Sequence, residues 1–269
     1  MLAEDRARAI VELVRRDGFQ AIDALALQFG VTPQTIRRDV NLLCDRGLLR
    51  RRHGGVELPP EGENLAYPAR QVLNIDAKRR IAQLVAREVP EGASLFFGIG
   101  TTPEQCALAL ADHSGLRVMT NNLNVALAFS RNASCEITVA GGRLRTLDRD
   151  VVAGDAHGFF SRFAVDIGIY GVGGVAEDGT LLDFSTDEVA MRSELARHCR
   201  QRFLVLDHSK FGRGATVRGG HIAEANVVFT DRPVPAAIAD QLRDAGVRLV
   251  SWSDDIASTA TPSQTRRRG

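Results

Sequence analysis

Residues 32–41 read TPQTIRRDVN and gather the side chains best shaped for base edges and phosphates on one side of a short segment. Thr32 is a good N-cap, and Pro33 suits the first helical position, where its missing N–H costs little. On the helix that follows, Ile36, Val40 and Leu43 recur at i, i+4 and i+7 and face inward. Gln34, Arg37, Arg38 and Asn41 therefore share the outer face, with Thr35 at its opening turn. Arginine and glutamine in such positions make bidentate contacts to guanine and adenine edges respectively. A second basic cluster follows in GLLRRRHGGVEL, where Leu48-Leu49 and Val56 read as the arms of a hairpin. Its tip carries Arg50, Arg51, Arg52, His53 and Gly54, and arginines there suit phosphate contact or minor-groove insertion. A charged helix face is usually just solvated, but here cap, turn, face chemistry and hairpin agree. The expected partner is double-stranded DNA.

A different chemistry is written further along. GIGTTPE, residues 98–104, joins an apolar run to a helical pattern through Gly100, Thr101 and Thr102, with Pro103 opening the helix. Such a junction offers unpaired N–H groups, hydroxyls and the positive end of a helix dipole, which suit an anion. Read as structure only, it is a strand–helix turn with threonine as cap. No GK[ST] follows, so nucleotide hydrolysis is disfavoured, and GVGG at 171–174 has the wrong spacing for a dinucleotide fingerprint. Asn121 and Asn122 of TNNLN are able to bind a hydroxylated ligand or to cap a helix; Arg143 of AGGRLR, Asp183 and Glu188 of DFSTDEV, and Lys210 of DHSKFG complete the candidates. Lys78 and Lys210 are the only lysines among 34 basic residues, which marks them as places where a compact ammonium serves better than a guanidinium. A loop lysine with backbone donors and amides suits a small phosphorylated polyol as effector.

The competing reading is an enzyme, a sugar-phosphate isomerase with a DNA-binding head, using Lys210 with Asp183 or Glu188 as acid and base. Those carboxylates lack a paired motif, and the adjacent His208, Ser209 and Lys210 point in different directions, so no catalytic residue is expected. Cys44, Cys106, Cys135 and Cys199 are scattered without CxxC spacing or a paired histidine. Reduced thiols in a cytoplasmic protein are expected, with no metal and no cofactor.

The elements that must position these residues can be read from periodicity. Ala7, Ile10, Leu13 and Val14 mark one helix ended by Asp17-Gly18, and Ile22, Leu25, Ala26 and Phe29 mark a second ended by Gly30. With the helix after Thr32 they make a helix-turn-helix, and the arginine hairpin adds a wing. This winged helix-turn-helix domain is expected over 1–57, with a linker over 58–76 that begins in the Pro-, Gly- and charge-rich ELPPEGEN. Over 77–252, SLFFGIG, RVMT, CEITVAGG, AVDIGIYGVGG, RFLVLD, NVVFT and VRLVSW read as strands, alternating with helical patterns. Strands apolar on both faces, each followed by a helix, predict a mostly parallel sheet covered on both sides, with ligands beyond the strands' carboxyl ends. The tail 253–269, ending in Arg266, Arg267 and Arg268, reads as disordered. No run of about 18 apolar residues is present, so no membrane span is expected. The net charge of +1 hides an asymmetry: residues 1–56 hold ten basic and seven acidic side chains, whereas residues 57–265 hold 21 and 26. A basic head on an acidic body confines the expected polyanion to the head.

TPQTIRRDVNLL followed by RGLLRRRHGG resembles the signature of DeoR-type bacterial transcription regulators. GTTPE, TNNLNVA, AGGRLR and VDHSKFG continue that likeness in the same order, over roughly residues 1–252. The resemblance implies an α/β chain whose C-terminal sensor domain is related in fold to sugar-phosphate isomerases, and a homo-oligomer (dimer or tetramer) that represses transcription. The likeness is strongest to members concerned with glycerol metabolism. It implies sn-glycerol 3-phosphate as inducer, with Gly100, Thr101, Thr102 and Lys210 contacting phosphate. Gly98 stands where members commonly carry an acid, which removes one acceptor for a ligand hydroxyl.

Overall fold

The first helix, α1 (Ala3–Asp17), is followed by a two-residue strand β1 (Gln20–Ala21), then α2 (Ile22–Phe29) and α3 (Pro33–Asp45). Strands β2 (Arg50–Arg52) and β3 (Gly55–Glu57) form the wing, and α4 (Tyr67–Val72) closes this part of the chain. The computed structural model describes residues 3–45, 48–58, 64–152, 156 and 158–252. It divides into two compact units, residues 1–73 and 74–269.

In the first unit the inward stripes foreseen from periodicity meet. Ile10, Val14, Leu25, Ile36, Val40, Leu43 and Val56 form one buried cluster. Gly30, at φ 64°, ends α2 in the left-handed conformation, and its N–H returns to the Leu27 carbonyl at 3.3 Å. The wing has three strands, in the order β1-β3-β2, all antiparallel. Gly55 is dictated by that third strand, because a Cβ there would lie 2.2 Å from the Gln20 carbonyl oxygen. The expected linker over 58–76 holds structure of its own. Helix α4 lies within it, and Ala69 is fully buried in the same cluster, with Leu65 and Leu73 packed against it. The composition of ELPPEGEN announces a boundary, but the apolar residues after it serve the first unit's core. The tail 253–269 lies outside the described residues.

The second unit begins with α5 (Ile75–Glu88) and continues through β4 (Ser94–Phe97), α6 (Thr101–Ala109), β5 (Arg117–Thr120), α7 (Leu123–Phe129) and β6 (Glu136–Val139). Then come β7 (Val165–Tyr170), β8 (Gly174–Val175), β9 (Thr180–Asp183), α8 (Thr186–Arg197), β10 (Cys199–Val205) and β11 (Val217–His221). The last elements are β12 (Val227–Thr230), α9 (Ala236–Asp244) and β13 (Arg248–Ser251). Seven strands form one parallel sheet in the order β13-β12-β10-β7-β4-β5-β6. Leu95 and Phe97 of β4 join one hydrophobic cluster while Phe96 joins another. Strands buried on both faces read as continuous apolar runs for this reason. The small antiparallel sheet β11-β9-β8 was not foreseen, and it makes Asp183 the last residue of a strand, not part of a loop. Among the described residues, no helix is long and apolar enough to cross a membrane.

The strand order fixes where a ligand fits. From β4 the chain builds outward through β5 and β6, then returns to the other side of β4 with β7. The reversal leaves a crevice beyond the carboxyl ends of β4 and β7, the usual ligand position in such sheets.

Candidate nucleic-acid interface and effector site

On α3 the Thr35 N–H donates to the Thr32 hydroxyl at 3.2 Å, so Thr32 caps the helix as its position implies. Ile36, Val40 and Leu43 are buried, whereas Gln34, Arg37, Arg38 and Asn41 are exposed. No described residue pairs with Arg37 or Arg38. Asn41 accepts from the Arg51 guanidinium, joining the helix face to the wing. Arg52 bonds Glu57 at 2.8 Å and lies 5.9 Å over the Phe19 ring; Arg50 is 3.8 Å from the same carboxylate. The three wing arginines remain exposed, and Gly54, at φ 74°, makes the tight turn beside His53. Arg6 was missed from sequence. Its guanidinium grips Asp39 at 2.6 Å, tying α1 to α3, so Asp39 in the TIRRD stretch orients the helix while its neighbours face outward.

In the second unit Gly100, at φ 114°, leads into α6, and Thr101 and Thr102 are buried in its first turn. The Asn122 amide reaches the Gly100 carbonyl at 3.5 Å while its Oδ1 caps α7 by accepting from the Asn124 N–H at 2.9 Å. The Thr120 hydroxyl donates to the Phe97 carbonyl at 2.9 Å and pins the ends of β5 and β4 together. Beyond these strand ends lies a small cavity of about 20 Å³. Gly98, Ile99, Asn121, Asp183, Glu188 and Arg192 are among the residues that line it.

Both carboxylates are held by arginines. Asp183 accepts from the Arg192 Nε at 3.0 Å and the Gly173 N–H at 2.8 Å, and burial raises its pKa despite Arg192. Glu188 accepts from Arg145 at 3.0 Å and from the Phe184 N–H at 3.1 Å. Arg145 also grips Asp150 in two bonds of 2.7 and 2.8 Å, and Asp150 is raised by burial even so. Sequence reading chose Arg143 from AGGRLR, but Arg143 is exposed, no described residue pairs with it, and it does not line the cavity. Arg145, two residues on, is the one that turns to the site's carboxylates. Only the placement of Asp150 and Glu188 decides between them.

Lys210 lies in a short helical turn after β10 and does not line the cavity. Burial would raise Asp207, but Lys210, the Ser209 hydroxyl and Lys78 outweigh it and hold the carboxylate below its usual value. The charges of both of the chain's lysines thus act on one buried acid, and Lys78 is itself 3% exposed. The Asn74 amide donates to Asp207 and to Ser209, each at 2.9 Å. His208 is occupied by Asp231 at 2.8 Å.

Among solved structures, ribose 5-phosphate isomerase A from Methanocaldococcus jannaschii superimposes with a TM-score of 0.38 at 14% identity, over 51% of this chain and 55% of that one. The DeoR-like helix-turn-helix domain matches residues 6–61 and the DeoR C-terminal sensor domain matches residues 73–232. The glycerol-3-phosphate regulon repressor of Escherichia coli K12 is 41% identical over 93% of this chain and 99% of its own length. Its namesake in Haemophilus influenzae is 42% identical over 91% and 95%. The transcriptional repressor CsqR of Escherichia coli K12 is 35% identical over 91% and 94%. With both domain matches in order and relatives of such identity along nearly the whole chain, the chain belongs to the DeoR family of transcriptional regulators.

Proposed function

We propose that this DeoR-family repressor reads an operator with the outer face of α3 and the arginine wing, and lets go when a phosphorylated polyol, sn-glycerol 3-phosphate, binds the second unit. The observation that carries the reading of DNA is the exposure of Gln34, Arg37, Arg38 and Asn41 on a capped helix whose opposite face is buried. Arg51, tied to Asn41, sets wing and helix as one surface for phosphate and base contact. Arg37→Ala and Arg38→Ala are expected to weaken operator binding at least tenfold in gel shifts and leave the circular dichroism spectrum unchanged. Full affinity of either variant at physiological salt would overturn the assignment.

The effector reading is supported by the Gly100–Thr102 junction at the switch point, by the amides beside it, and by two lysines whose charges act on Asp207. The names of the relatives from Escherichia coli and Haemophilus influenzae point to glycerol 3-phosphate. The repressor acts as a homo-oligomer, dimer or tetramer, whose heads match repeated half-sites until ligand favours another arrangement of the bodies. Such coupling is typically about 1–3 kcal/mol. Gel shifts unchanged across millimolar glycerol 3-phosphate would exclude that effector, and a single-chain mass in light scattering would exclude the oligomer.

A further inference from the structure

The first unit ends and the second begins across a single peptide bond. On one side Leu73 packs against the first unit's buried cluster, and its N–H donates to the Ala69 carbonyl at 3.1 Å. On the other side Asn74 is the N-cap of α5, its carbonyl accepting from the Lys78 N–H at 3.0 Å. An N-cap residue usually lies in the extended region and accepts helix N–H groups with its side chain. Asn122, which caps α7, does so at φ −112°, its Oδ1 bonded to the Asn124 N–H. Asn74 does neither. It is left-handed, at φ 52° and ψ 34°, and its side chain makes no cap bond. Arg149 is the one other non-glycine residue at positive φ among those described. The Asn74 amide is used elsewhere: Nδ2 donates to Asp207 Oδ1 and to the Ser209 hydroxyl. Asp207 and Ser209 belong to the loop after β10 that also carries Lys210. Asp207 is 2% exposed, and the Lys210 charge does most to hold its carboxylate ionised against that burial.

We propose that Asn74 is a two-position switch that couples the loop carrying Lys210 to the direction in which the chain leaves the second unit. In one position its amide holds Asp207 and Ser209 and its backbone is left-handed. In the other the side chain turns to cap α5, as Asn122 caps α7, and φ moves into the extended region. Rotation about the N–Cα bond of Asn74 redirects everything that precedes it. Leu73, packed in the first unit, carries that change into the DNA-binding head. A phosphate that engages the Lys210 ammonium competes with Asp207 for it, shifts the loop on which both lie, and so releases Asn74. The clamped position is the one that binds operator, and the capped position is the one that lets go. The exchange sets two hydrogen bonds and an uncommon conformation against a helix cap and a relaxed backbone, a balance that a ligand can tip. This rests on the effector reading above and adds the element that transmits it, with no ligand contact at Asn74 itself.

The test is Asn74→Asp in the intact protein, which keeps an acceptor for the cap, loses the donor and sets a second carboxylate against Asp207. Operator affinity is measured by gel shift without and with saturating glycerol 3-phosphate, and glycerol 3-phosphate affinity by calorimetry. For the unaltered protein the two operator affinities are expected to differ by about 5- to 150-fold. In Asn74→Asp the affinity without effector should fall to the level seen with it, leaving a ratio under about two, because the variant already occupies the released position. Glycerol 3-phosphate should bind the variant at least as tightly as before. A role confined to stability would lower the melting temperature and leave the ratio as it was, and an unchanged ratio overturns the proposal. Loss of glycerol 3-phosphate binding in the variant marks damage to the loop and overturns it as well. If glycerol 3-phosphate leaves the operator affinity of the unaltered protein unchanged, the effector reading fails. The switch is then judged on operator affinity alone, where a weakened Asn74→Asp supports it and an undiminished one overturns it. Should Asn74→Asp fail to fold, Asn74→Gly, to which φ 52° is open, decides by the same ratio: a several-fold smaller one supports the switch and an equal one overturns it.

Discussion

Arg145→Ala should destabilise the second unit far more than Arg143→Ala, although the two arginines stand two residues apart in one loop. Arg145 makes three bonds to two carboxylates: 2.7 and 2.8 Å to Asp150, and 3.0 Å to Glu188. The side chains of Asp150 and Glu188 are 3% and 8% exposed, that of Arg145 32%. Removing the cation leaves two nearly buried acids facing each other, and breaking such a pair costs about 3–5 kcal/mol. The partial exposure of the guanidinium argues for the low end, about 3 kcal/mol at pH 7.5. In a unit of this size that lowers the melting temperature by roughly 6–12 °C. The pH dependence has a definite sign. Burial already raises Asp150 above its ordinary value in spite of Arg145. A carboxylate whose folded-state pKa lies above its unfolded-state pKa stabilises the fold most when protonated and loses that contribution as pH rises. Loss of Arg145 raises the pKa further, so the variant should recover part of its deficit between pH 7.5 and pH 5. Arg143→Ala should stay within about 0.5 kcal/mol throughout, as exposed substitutions do. Thermal unfolding at both pH values is the assay. Equal effects of the two substitutions, or a deficit that grows on acidification, would refute the reasoning.

In the wing, Gly55→Ala sets a methyl group against backbone at Gln20 and is expected to cost about 1–3 kcal/mol in urea unfolding of the first unit. Gly54→Ala meets open space, and only its positive φ opposes it, so it should cost about 1 kcal/mol. Arg50→Ala removes an exposed wing cation. It should weaken binding on all DNA sequences alike and reduce the slope of log K against log salt by about 0.9. Linkage supplies another check: if glycerol 3-phosphate lowers operator affinity by some factor, saturating operator must lower glycerol 3-phosphate affinity by the same factor in calorimetry.

Much of this fold is legible because its elements announce themselves locally. Ile36, Val40 and Leu43 define α3 by spacing alone, and Thr32-Pro33 fixes where it starts. The parallel sheet is legible from runs such as Leu95-Phe96-Phe97, where both faces are buried and no polar alternation interrupts. What stayed hidden depends on partners far away in sequence. Strand β1 is two residues long and exists only because Gly55 lets β3 approach it. The segment read as a linker carries Ala69 into the first unit's core, and nothing in YPARQV says which body will claim it. The β8-β9-β11 sheet joins residues 174–175 to 180–183 and 217–221 through short strands that offer too little periodicity to be read.

The site follows the same division. Gly100, Thr101, Asn121 and Asn122 are legible because a strand end followed by a helix start fixes their place in any parallel sheet, whatever the ligand. Asp183 and Glu188, candidates from DFSTDEV, do line the cavity. Each is met by an arginine, and neither Arg145 nor Arg192 carries a local mark that separates it from the chain's other arginines. Three buried carboxylates, Asp150, Asp183 and Glu188, thus share two arginines, Arg145 and Arg192, a pairing set by the fold and not by any local pattern.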